Sequence, residues 1–378
     1  MTRGSRPRLL AVGEGFGATG YGRVMESVLA PLSGAFEVAL FAVDRRGSVD
    51  RARLPFEVRT NRLAGDNYGY EQLPGLLDEI EPDIVLLHRN SAFFPMHRAA
   101  LARFRERRPG ARVVAYCPAD RVPPALAEAD LVVFYTQCGL EAAGDLELPA
   151  TAVIPHGVDR ARFRPVEDAR RQLFPGRPEL EDAFVVLNAN RNQPRKRVDL
   201  TLRGFALFAR SRPDAWLYLH MGMRDLGVEV LELAGSLGIA DRLLVTTWEP
   251  DRPLVPDERL NLIYNACSVG VNTAAAEGWG LVSFEHAATG AAQIVPGHGA
   301  CEELWRDVAL LLPCEADSRG RQVTTPSAVA DALARLYDDR ELLAERGRLA
   351  YEHATSDRFA WDTIARRWEA LLLECLRS

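Results

Sequence analysis

The chain of 378 residues alternates between short apolar segments and amphipathic helical segments along its whole length. The apolar segments are rich in leucine and β-branched residues without strict polar alternation, as expected of strands buried on both faces of a parallel sheet. This alternation occurs twice, which predicts an α/β fold with two doubly wound domains. The predicted strands span residues 9–12, 36–43, 83–88, 112–117, 130–135, 152–155, 184–189, 216–221, 243–247, 269–272, 293–295 and 309–312.

Helical patterns lie between these strands in both halves of the chain. They span residues 21–32, 71–81, 96–107, 198–210, 228–237, 258–266, 282–289, 328–337, 341–353 and 359–375. The segment 156–183 contains Pro165, Pro175 and Pro178 and has no clear periodicity, as a linker would. We therefore expect domains over 1–165 and 166–355, followed by a helical segment over 356–378. Two such domains imply a cleft, and ligands of open α/β sheets bind beyond the carboxyl ends of the strands.

The charge and cysteine content exclude several classes of protein. The formal net charge is −6, so nothing in the composition favours nucleic acid as a partner. The six cysteines include no CxxC pair and no zinc-site spacing, which predicts no metal and a reducing environment. No apolar segment has the length of a signal-peptide core or the roughly 20 residues that span a bilayer. We expect a cytoplasmic protein with at most peripheral membrane contact.

A glycine-rich loop, Gly13-Glu-Gly-Phe-Gly-Ala-Thr-Gly-Tyr-Gly22, follows the first predicted strand and precedes a helix. Glycine lets a backbone approach a ligand closely, and a helix N-terminus attracts anions. Gly13 and Gly15 match a dinucleotide fingerprint, but Ala18 occupies its third glycine position. A tight structural turn and a ligand loop are both compatible with this pattern.

A basic loop, Asn190-Arg-Asn-Gln-Pro-Arg-Lys196, follows the first strand of the second predicted domain. Lys196 is the only lysine of the chain. Arg191 and Lys196 precede a helix that begins near Val198, and two cations beside a helix N-terminus are suited to bind a pyrophosphate. The alternative is a solvated basic turn. The position at the carboxyl end of a strand favours phosphate binding.

A third segment, Asn272-Thr-Ala-Ala-Ala-Glu-Gly-Trp-Gly-Leu-Val-Ser-Phe-Glu285, places a glycine-containing turn between two glutamates. The glycines free the backbone to bend, so that the amides of residues 279–281 can point at an oxyanion or a sugar hydroxyl. Glu277 precedes this turn. Glu285 lies about one turn into the following helix, where a buried carboxylate needs partners such as sugar or ribose hydroxyls. A capping glutamate followed by a surface glutamate is the alternative.

These residues resemble glycosyltransferase family 4, whose members are retaining enzymes. The Glu277-x7-Glu285 segment is the most specific match, and Arg191 and Lys196 match the R-x4-K phosphate motif of the family. Arg197 departs from that motif, since a glycine usually follows the lysine. The resemblance implies a GT-B fold, in which two Rossmann-like, doubly wound domains face an interdomain cleft.

Three further segments extend the resemblance along the chain. Residues 154–163 are similar to the Pro-Asn-Gly-Val-Asp hinge of the family, with His156 in place of its asparagine. Residues 19–24 resemble the N-terminal Gly-Gly loop, of which only Gly20 is present. Residues 358–361 are similar to the start of a last helix that crosses back to the first domain in that family.

The resemblance implies a role for each matched residue. In the family, the glutamate at Glu277 and the following backbone hold the transferred sugar, and the glutamate at Glu285 holds the ribose. A histidine at the position of His88 often contacts the sugar, although a structural histidine is equally compatible with the sequence. The implied donor-binding residues are Gly20, Gly278, Trp279, Gly280, Leu281 and Glu285. The implied catalytic residues are His88, Arg191, Lys196 and Glu277.

Glycosyl transfer breaks the bond between the anomeric carbon and the β-phosphate, and the main task of the catalyst is to stabilise that leaving group with preorganised charge. Arg191 and Lys196 can do so without a metal, and the sequence has no convincing D-x-D metal site. No further carboxylate stands out as a base. We therefore expect a front-face, retaining reaction in which the β-phosphate deprotonates the acceptor, with neither a metal nor a cofactor.

The expected partners are a nucleotide sugar, linked to uridine or guanine, and a hydroxyl group of a glycan, a glycolipid or a small molecule. Tyr21 and Asp120 are candidate acceptor-binding residues, although Asp120 could equally cap a turn. The first-domain loops 61–70 and 116–124 are the expected acceptor loops. The arginine-rich segment 97–112 is either a solvated helix face or a docking surface for anionic lipid.

Other classes of protein are compatible with parts of the sequence. A nucleotide-sugar epimerase of the same fold would use the carboxylates without an acceptor. A non-catalytic nucleotide-sugar-binding protein would bind the donor alone. A phosphorylase would need a pyridoxal-binding lysine, which conflicts with a phosphate role for Lys196. An NAD-dependent dehydrogenase is disfavoured by the incomplete glycine fingerprint.

Overall fold

The computed structural model describes residues 6–15, 19–45, 54–63, 65–66, 68–118, 124–249, 251 and 253–378. The chain divides into two compact units: unit 1 comprises Met1–Gly157 and Arg358–Ser378, and unit 2 comprises Val158–Asp357. Unit 2 begins at Val158, before the expected boundary at 165/166, because residues 158–165 pack with the rest of unit 2. The amide of Arg164 donates to Asn261 Oδ1 over 3.1 Å.

Unit 1 contains a seven-stranded sheet in which every pairing is parallel. Its spatial order, β3-β2-β1-β4-β5-β6-β7, is doubly wound. The third strand is absent from the predicted set, because Val58 is its only apolar residue. The strands are β1 (Arg8–Gly13), β2 (Glu37–Ala42), β3 (Glu57–Thr60), β4 (Ile84–His88), β5 (Arg112–Cys117), β6 (Leu131–Phe134) and β7 (Thr151–Val153).

Unit 2 repeats this arrangement in a six-stranded parallel sheet of order β10-β9-β8-β11-β12-β13. Its strands are β8 (Phe184–Asn188), β9 (Ala215–Leu219), β10 (Leu243–Val245), β11 (Val269–Val271), β12 (Ala292–Pro296) and β13 (Leu310–Leu312). A separate antiparallel pair is formed by β14 (Glu315–Ala316) and β15 (Gln322–Val323), which are too short to leave a sequence pattern.

The helices of the described residues mostly follow the predicted periodicity. They are α1 (Gly20–Leu32), α2 (Leu73–Ile80), α3 (Phe94–Arg107), α4 (Gln137–Glu141), α5 (Ala169–Leu173), α6 (Val198–Ala209), α7 (Val230–Ser236), α8 (Asp257–Asn265), α9 (Leu281–Ala287), α10 (Gly299–Trp305), α11 (Pro326–Asp338), α12 (Arg340–Ala354) and α13 (Trp361–Cys375). The unpredicted helices α4, α5 and α10 have five to seven residues, too few for a clear period. No helix in these ranges is long and apolar enough to cross a membrane.

The last helix, α13, packs on α1 and so belongs to unit 1. Arg112 Nε, at the start of β5, donates to the carbonyl of Cys375 over 3.1 Å. Trp368 is fully buried, with its ring 4.7 Å from that of Tyr116. Unit 1 is therefore assembled from two separate stretches of chain.

The winding direction reverses between β1 and β4 in unit 1 and between β8 and β11 in unit 2. At such a switch point, the connections leave on opposite faces and open a crevice at the carboxyl ends of the strands. The chain leaves these four strands after Gly13, His88, Asn188 and Val271. The loops that begin there contain most of the residues predicted to be functional.

Candidate functional site

Lys196 and Glu277 form a buried ion pair at the switch point of unit 2. Lys196 ends a 3-10 turn between β8 and α6, and Glu277 lies between β11 and α9. The ammonium group donates to a carboxylate oxygen of Glu277 and, over 2.9 Å, to Asn190 Oδ1. Only 8% of the Lys196 side chain and 9% of the Glu277 side chain are exposed. The fold thus joins two predicted site residues that are 81 positions apart.

The environment of this pair determines its charge state. Burial raises the pKa of Glu277, but the charges of Lys196 and Arg195 and hydrogen bonds from Lys196 and Asn272 outweigh burial and lower the pKa below its usual value. Burial lowers the pKa of Lys196, and the Glu277 carboxylate partly offsets that effect. Glu277 is therefore a carboxylate at neutral pH, and its charge is compensated within the site.

Arg195 is a site residue that sequence reasoning missed. Its Nη1 donates to the carbonyl of Ala276 over 2.9 Å and lies 3.7 Å from Glu277 Oε1. The amide of Ala275 donates in turn to the carbonyl of Arg195 over 2.8 Å. These contacts fasten the two site loops together. The available signal was the adjacency of Arg195 and Lys196 in a loop already assigned to phosphate.

Arg191 lies in the same loop but has a different carboxylate partner. Its Nε and Nη2 donate to the two carboxylate oxygens of Asp225 over 2.6 and 3.2 Å. Asp225 lies between β9 and α7, and 51% of the Arg191 side chain is exposed. The two cations of the R-x4-K motif are therefore held by separate carboxylates, Asp225 for Arg191 and Glu277 for Lys196.

Arg197 occupies a backbone conformation that favours glycine. Its φ of 48° and ψ of 46° lie in the left-handed region, which costs a non-glycine residue roughly 1–2 kcal/mol. This is the position at which the resembled family usually has glycine. Its guanidinium pairs with both carboxylate oxygens of Asp199 at 2.9 Å. The carbonyl of Arg197 accepts from Thr273 Oγ1 over 2.9 Å, which is another link between the site loops.

The turn that leads into α9 requires glycine at Gly280, whose φ is 90°. Gly278 precedes this position, and Leu281 begins the helix. Trp279 is 3% exposed, and its ring stacks on Phe284 with centroids 4.9 Å apart. The Trp279 side chain therefore belongs to the core, and its contribution to a ligand site would come from its backbone.

Glu285 is buried within α9, with 6% of the residue exposed. Its Oε2 accepts a hydrogen bond from the hydroxyl of Tyr264, on α8, over 3.0 Å. This phenol is one of the groups that offset the cost of burying a carboxylate. The alternative of a surface glutamate at this position is therefore wrong.

In unit 1, His88 ends β4 within a cluster of aromatic rings. It is fully buried, its Nε2 lies 3.1 Å from Tyr135 Oη, and its ring stacks on Tyr116 with centroids 4.8 Å apart. Tyr116 Oη lies 2.6 Å from His156 Nδ1. Tyr21, near the start of α1, places its ring 5.1 Å from that of His88. We call these five residues the aromatic cluster.

The histidines of the aromatic cluster are uncharged at neutral pH. Burial lowers the pKa of His88 to about 3. Burial, followed by the proximity of His88, lowers the pKa of His156 well below its usual value. His88 Nδ1 has no hydrogen-bond partner among the described residues. His156, which replaces the family's asparagine, acts here as a neutral hydrogen-bonding group for Tyr116.

The glycine-rich loop is described on both sides of residues 16–18. The amide of Gly15 donates to Asp44 Oδ1, and the amide of Gly22 donates to Thr19 Oγ1 over 2.9 Å, which caps α1. A Cβ at Gly22 would lie 2.0 Å from the carbonyl oxygen of Gly15. The close approach of the backbone at Gly15 and Gly22 therefore explains the glycine at Gly22 without a ligand. Gly20, implied to contact the donor phosphates, is the first residue of α1.

The loops 61–70 and 116–124, which were predicted to bind the acceptor, are described only in part. In the first, the buried Asp66 carboxylate accepts from the amides of Tyr70 and Glu71 over 3.2 and 3.0 Å, which orders the backbone. Arg89, directly after His88, donates to the carbonyl of Tyr68 over 2.9 Å. The predicted acceptor residue Asp120 lies outside the described residues.

Most arginines of the segment 97–112 already have carboxylate partners, which favours a solvated helix face over a lipid-docking surface. The pairs include Arg98 with Glu128, Arg105 with Asp130, Arg107 with Asp78 and Arg108 with Asp83. Within the described ranges, no group of three or more His, Cys, Asp or Glu side chains is suited to hold a metal ion.

Comparison with known proteins identifies relatives in sequence. The chain is 32% identical over 309 residues to D-inositol 3-phosphate glycosyltransferase of Streptomyces griseus, a match that covers 75% of this chain and 60% of the relative. The chain thus spans less than two thirds of that relative's length. No protein-family model matches the chain.

Solved structures match nearly the whole chain. Sucrose-phosphate synthase from Thermosynechococcus elongatus has a TM-score of 0.77 at 20% identity, covering 97% of this chain and 98% of the other. Anabaena HepE in complex with UDP-glucose has a TM-score of 0.75 at 18% identity, covering 98% and 100%. Together with the two doubly wound parallel sheets, these matches confirm the predicted fold. The chain has the GT-B fold, and its sequence is similar to that of a protein named as a glycosyltransferase.

Proposed function

We propose that the protein is a retaining hexosyltransferase of family 4, which transfers a hexose from a nucleotide-diphosphate sugar to a hydroxyl group. The observation that carries this proposal is the cluster of Arg195, Lys196 and Glu277 at the switch point of unit 2, where doubly wound sheets bind ligands. A relative named as a glycosyltransferase and a structural neighbour solved with UDP-glucose support a nucleotide-sugar donor.

In the proposed reaction, the bond between the anomeric carbon and the β-phosphate oxygen breaks as the acceptor oxygen bonds to the same carbon. The acceptor proton passes to the departing β-phosphate, so no enzyme carboxylate has to act as a base. Negative charge grows on the phosphate, and positive charges fixed in advance stabilise it most effectively. Arg191, Arg195 and Lys196 are the residues we assign to this task.

Glu277 and Glu285 are assigned to the donor rather than to covalent chemistry. Glu277 is ionised and already accepts from Lys196, so it can orient sugar hydroxyls while holding the ammonium group in place. Glu285 is assigned to the ribose hydroxyls. In unit 1, the neutral His88 is assigned to a hydroxyl group of the sugar, because an uncharged imidazole forms such a contact without adding charge.

We propose that the reaction requires no metal, because the basic loop supplies the charge that a divalent cation would provide. We also propose a cytoplasmic protein, in agreement with six cysteines that are thiols rather than disulfides. Sugar phosphates are the first acceptors to test, since one similar protein is named for D-inositol 3-phosphate and another is a sucrose-phosphate synthase.

The proposal can be tested with a panel of UDP- and GDP-sugars, with and without a sugar-phosphate acceptor and with a chelator present. Thermal shift identifies the donor, because a tight ligand raises the melting temperature. NMR of the product gives the anomeric configuration. Retention with acceptor-dependent nucleotide release is expected. Inversion would exclude the retaining mechanism. An isomerised donor without acceptor would indicate an epimerase, and binding without release would indicate a non-catalytic protein.

A further inference from the structure

We propose that Asp225 is a positioning residue, which fixes the Arg191 guanidinium in an orientation suited to an anionic diphosphate. This inference rests on the proposed function of unit 2. Asp225 lies in the β9–α7 loop, residues 220–229, which carries none of the residues predicted from sequence to be functional. Arg191 follows β8 and Asp225 follows β9, so their pairing joins two loops at the carboxyl edge of the sheet. The two residues are 34 positions apart.

The geometry of the pair leaves part of the guanidinium available. A guanidinium has five N–H donors in a planar fork. Asp225 takes the Nε–H and one Nη2–H, over 2.6 and 3.2 Å. The Nη1 group and the other Nη2–H lie on the remaining edges of the plane, and half of the side chain is exposed. Three donors with a fixed direction therefore remain for an anion.

The β9–α7 loop is held independently of the Arg191–Asp225 pair. Asn192, which is 1% exposed, donates from Nδ2 to the carbonyl of Val228 over 2.8 Å and accepts at Oδ1 from the amide of Val228 over 3.1 Å. The carbonyl of Asn192 accepts from the amide of Gly227 over 3.0 Å. The loop is therefore fastened beside the residue that follows Arg191.

Gly227 makes this close approach possible. A Cβ at that position would lie 2.1 Å from Asn192 Oδ1, a distance that no side chain tolerates. At its other end, the loop is tied by the amide of Met223, which donates to the carbonyl of Glu249 over 3.1 Å. These contacts on both sides fix the position of Asp225, so the carboxylate orients the arginine rather than following it.

A fixed arginine binds an anion more readily than a mobile one. The rotamer freedom of a long side chain is lost when it is ordered, and here folding has already removed it. The bidentate contact also sets the plane of the guanidinium, which a single hydrogen bond would not do. Removing the carboxylate should therefore weaken diphosphate binding without removing any atom that touches the diphosphate.

The test is a double-mutant cycle on the full chain, with Asp225→Asn, Arg191→Ala and the combined variant. Binding of UDP, and of the UDP- or GDP-sugar that gives the largest thermal shift, is measured by calorimetry, together with kcat and KM. We expect Asp225→Asn to weaken binding and raise the donor KM by about tenfold, as for the loss of one charged contact. Arg191→Ala should lower kcat/KM by about 10²-fold. The combined variant should match Arg191→Ala within about twofold.

Asp199→Asn is the matched control, because Asp199 forms an equivalent bidentate pair with Arg197, whose side chain is assigned no contact with the donor. It should leave the donor KM within about twofold of wild type. Losses that multiply in the combined variant, or a KM for Asp225→Asn no higher than for the control, would overturn the inference. A wild-type chain that binds no nucleotide would overturn the proposed function and this inference with it.

Discussion

At the switch point of unit 2, the buried side chains beside the sheet are ionised, whereas in the aromatic cluster of unit 1 they are neutral. Lys196 and Glu277 face each other as a charged pair, while His88 and His156 are held uncharged by burial among tyrosines. Both sites begin at the same topological place in sheets of the same winding order. The fold therefore fixes where a site forms, and the side chains in the loops decide its chemistry.

This contrast agrees with the two different tasks in the proposed reaction, which are to stabilise the departing diphosphate and to bind the sugar. A departing diphosphate gains negative charge and requires fixed positive charge, which burial in unit 2 makes more effective. A sugar hydroxyl requires only hydrogen-bonding groups, which neutral rings provide without a desolvated charge. The following predictions test whether the two units are as different as this comparison implies.

The largest effect is expected from breaking the ion pair in unit 2. Lys196→Met and Glu277→Leu should each lower turnover by about 10²-fold or more. Each should also lower the free energy of unfolding by about 3–5 kcal/mol, because the other buried charge loses its partner. Their combination should recover stability but not turnover, as measured by urea unfolding and donor turnover. Single variants as stable as wild type would show that the pair is not desolvated.

The second largest effect is expected on the stability of unit 1 at acidic pH. Burial lowers the pKa of His88 to about 3, and burial followed by the charge of Arg89 lowers that of His97 to about 4, although Asp66 opposes the shift. The unfolded chain binds these protons below about pH 6.5. The free energy of unfolding of unit 1 should therefore decrease as the pH is lowered below about 6.5. The decrease should be up to about 1.4 kcal/mol per pH unit for each histidine.

Limited proteolysis in urea at pH 7 and pH 5, with fragments identified by mass spectrometry, would compare the two units. In unit 2, burial lowers the pKa of His286 to about 4 and also lowers that of His298. In unit 1 the pKa values of His88, His97 and His156 are all lowered, so unit 2 should lose stability more slowly. His97→Phe should reduce the slope for unit 1 alone. Equal slopes for both units would contradict the contrast between them.

A smaller effect is expected from Gly280→Ala in unit 2. The new Cβ would meet Glu277 Cγ at an ordinary 3.6 Å, so the cost comes from the φ of 90°. The strain should be roughly 1–2 kcal/mol, with weaker donor binding because the turn after Glu277 shifts. Gly110→Ala in unit 1, where a side chain meets open space, is the control and should change neither property. Thermal melting and donor titration provide the measurement.

The smallest effect is expected at two left-handed residues, one in each unit. Arg197→Gly in unit 2 and Glu81→Gly in unit 1 should each relieve backbone strain at φ values of 48° and 46°. Loss of their partly exposed ion pairs offsets part of the gain. A net increase of less than about 1 kcal/mol in unfolding free energy is expected. If the free energy of unfolding decreased for Arg197→Gly alone, the pair of Arg197 with Asp199 would be shown to support the site loop.

The sequence was sufficient to locate most strands and most helices, because long buried segments have a recognisable period and composition. It also singled out Lys196 and Glu277, since each lies in a loop that follows a predicted strand. It missed Asp225 and assigned no role to Arg195, because their roles depend on loop contacts with Arg191 and Glu277 that no local pattern encodes. It likewise left the partners of His88 unnamed, since Tyr116 and Tyr135 reach it only through strand pairing.

The docking of α13 on α1 has a consequence for how the chain folds as it leaves the ribosome. Unit 2 is one continuous stretch and can close as soon as it has emerged. Most of unit 1 is synthesised before unit 2, but its packing is completed only when residues 358–378 have been synthesised. These residues contain the buried Trp368 and the Cys375 carbonyl, which accepts a hydrogen bond from Arg112. Throughout synthesis of unit 2, the face of unit 1 that receives α13 stays uncovered. The unit translated first is thus completed last, and during that interval it is the part most exposed to aggregation.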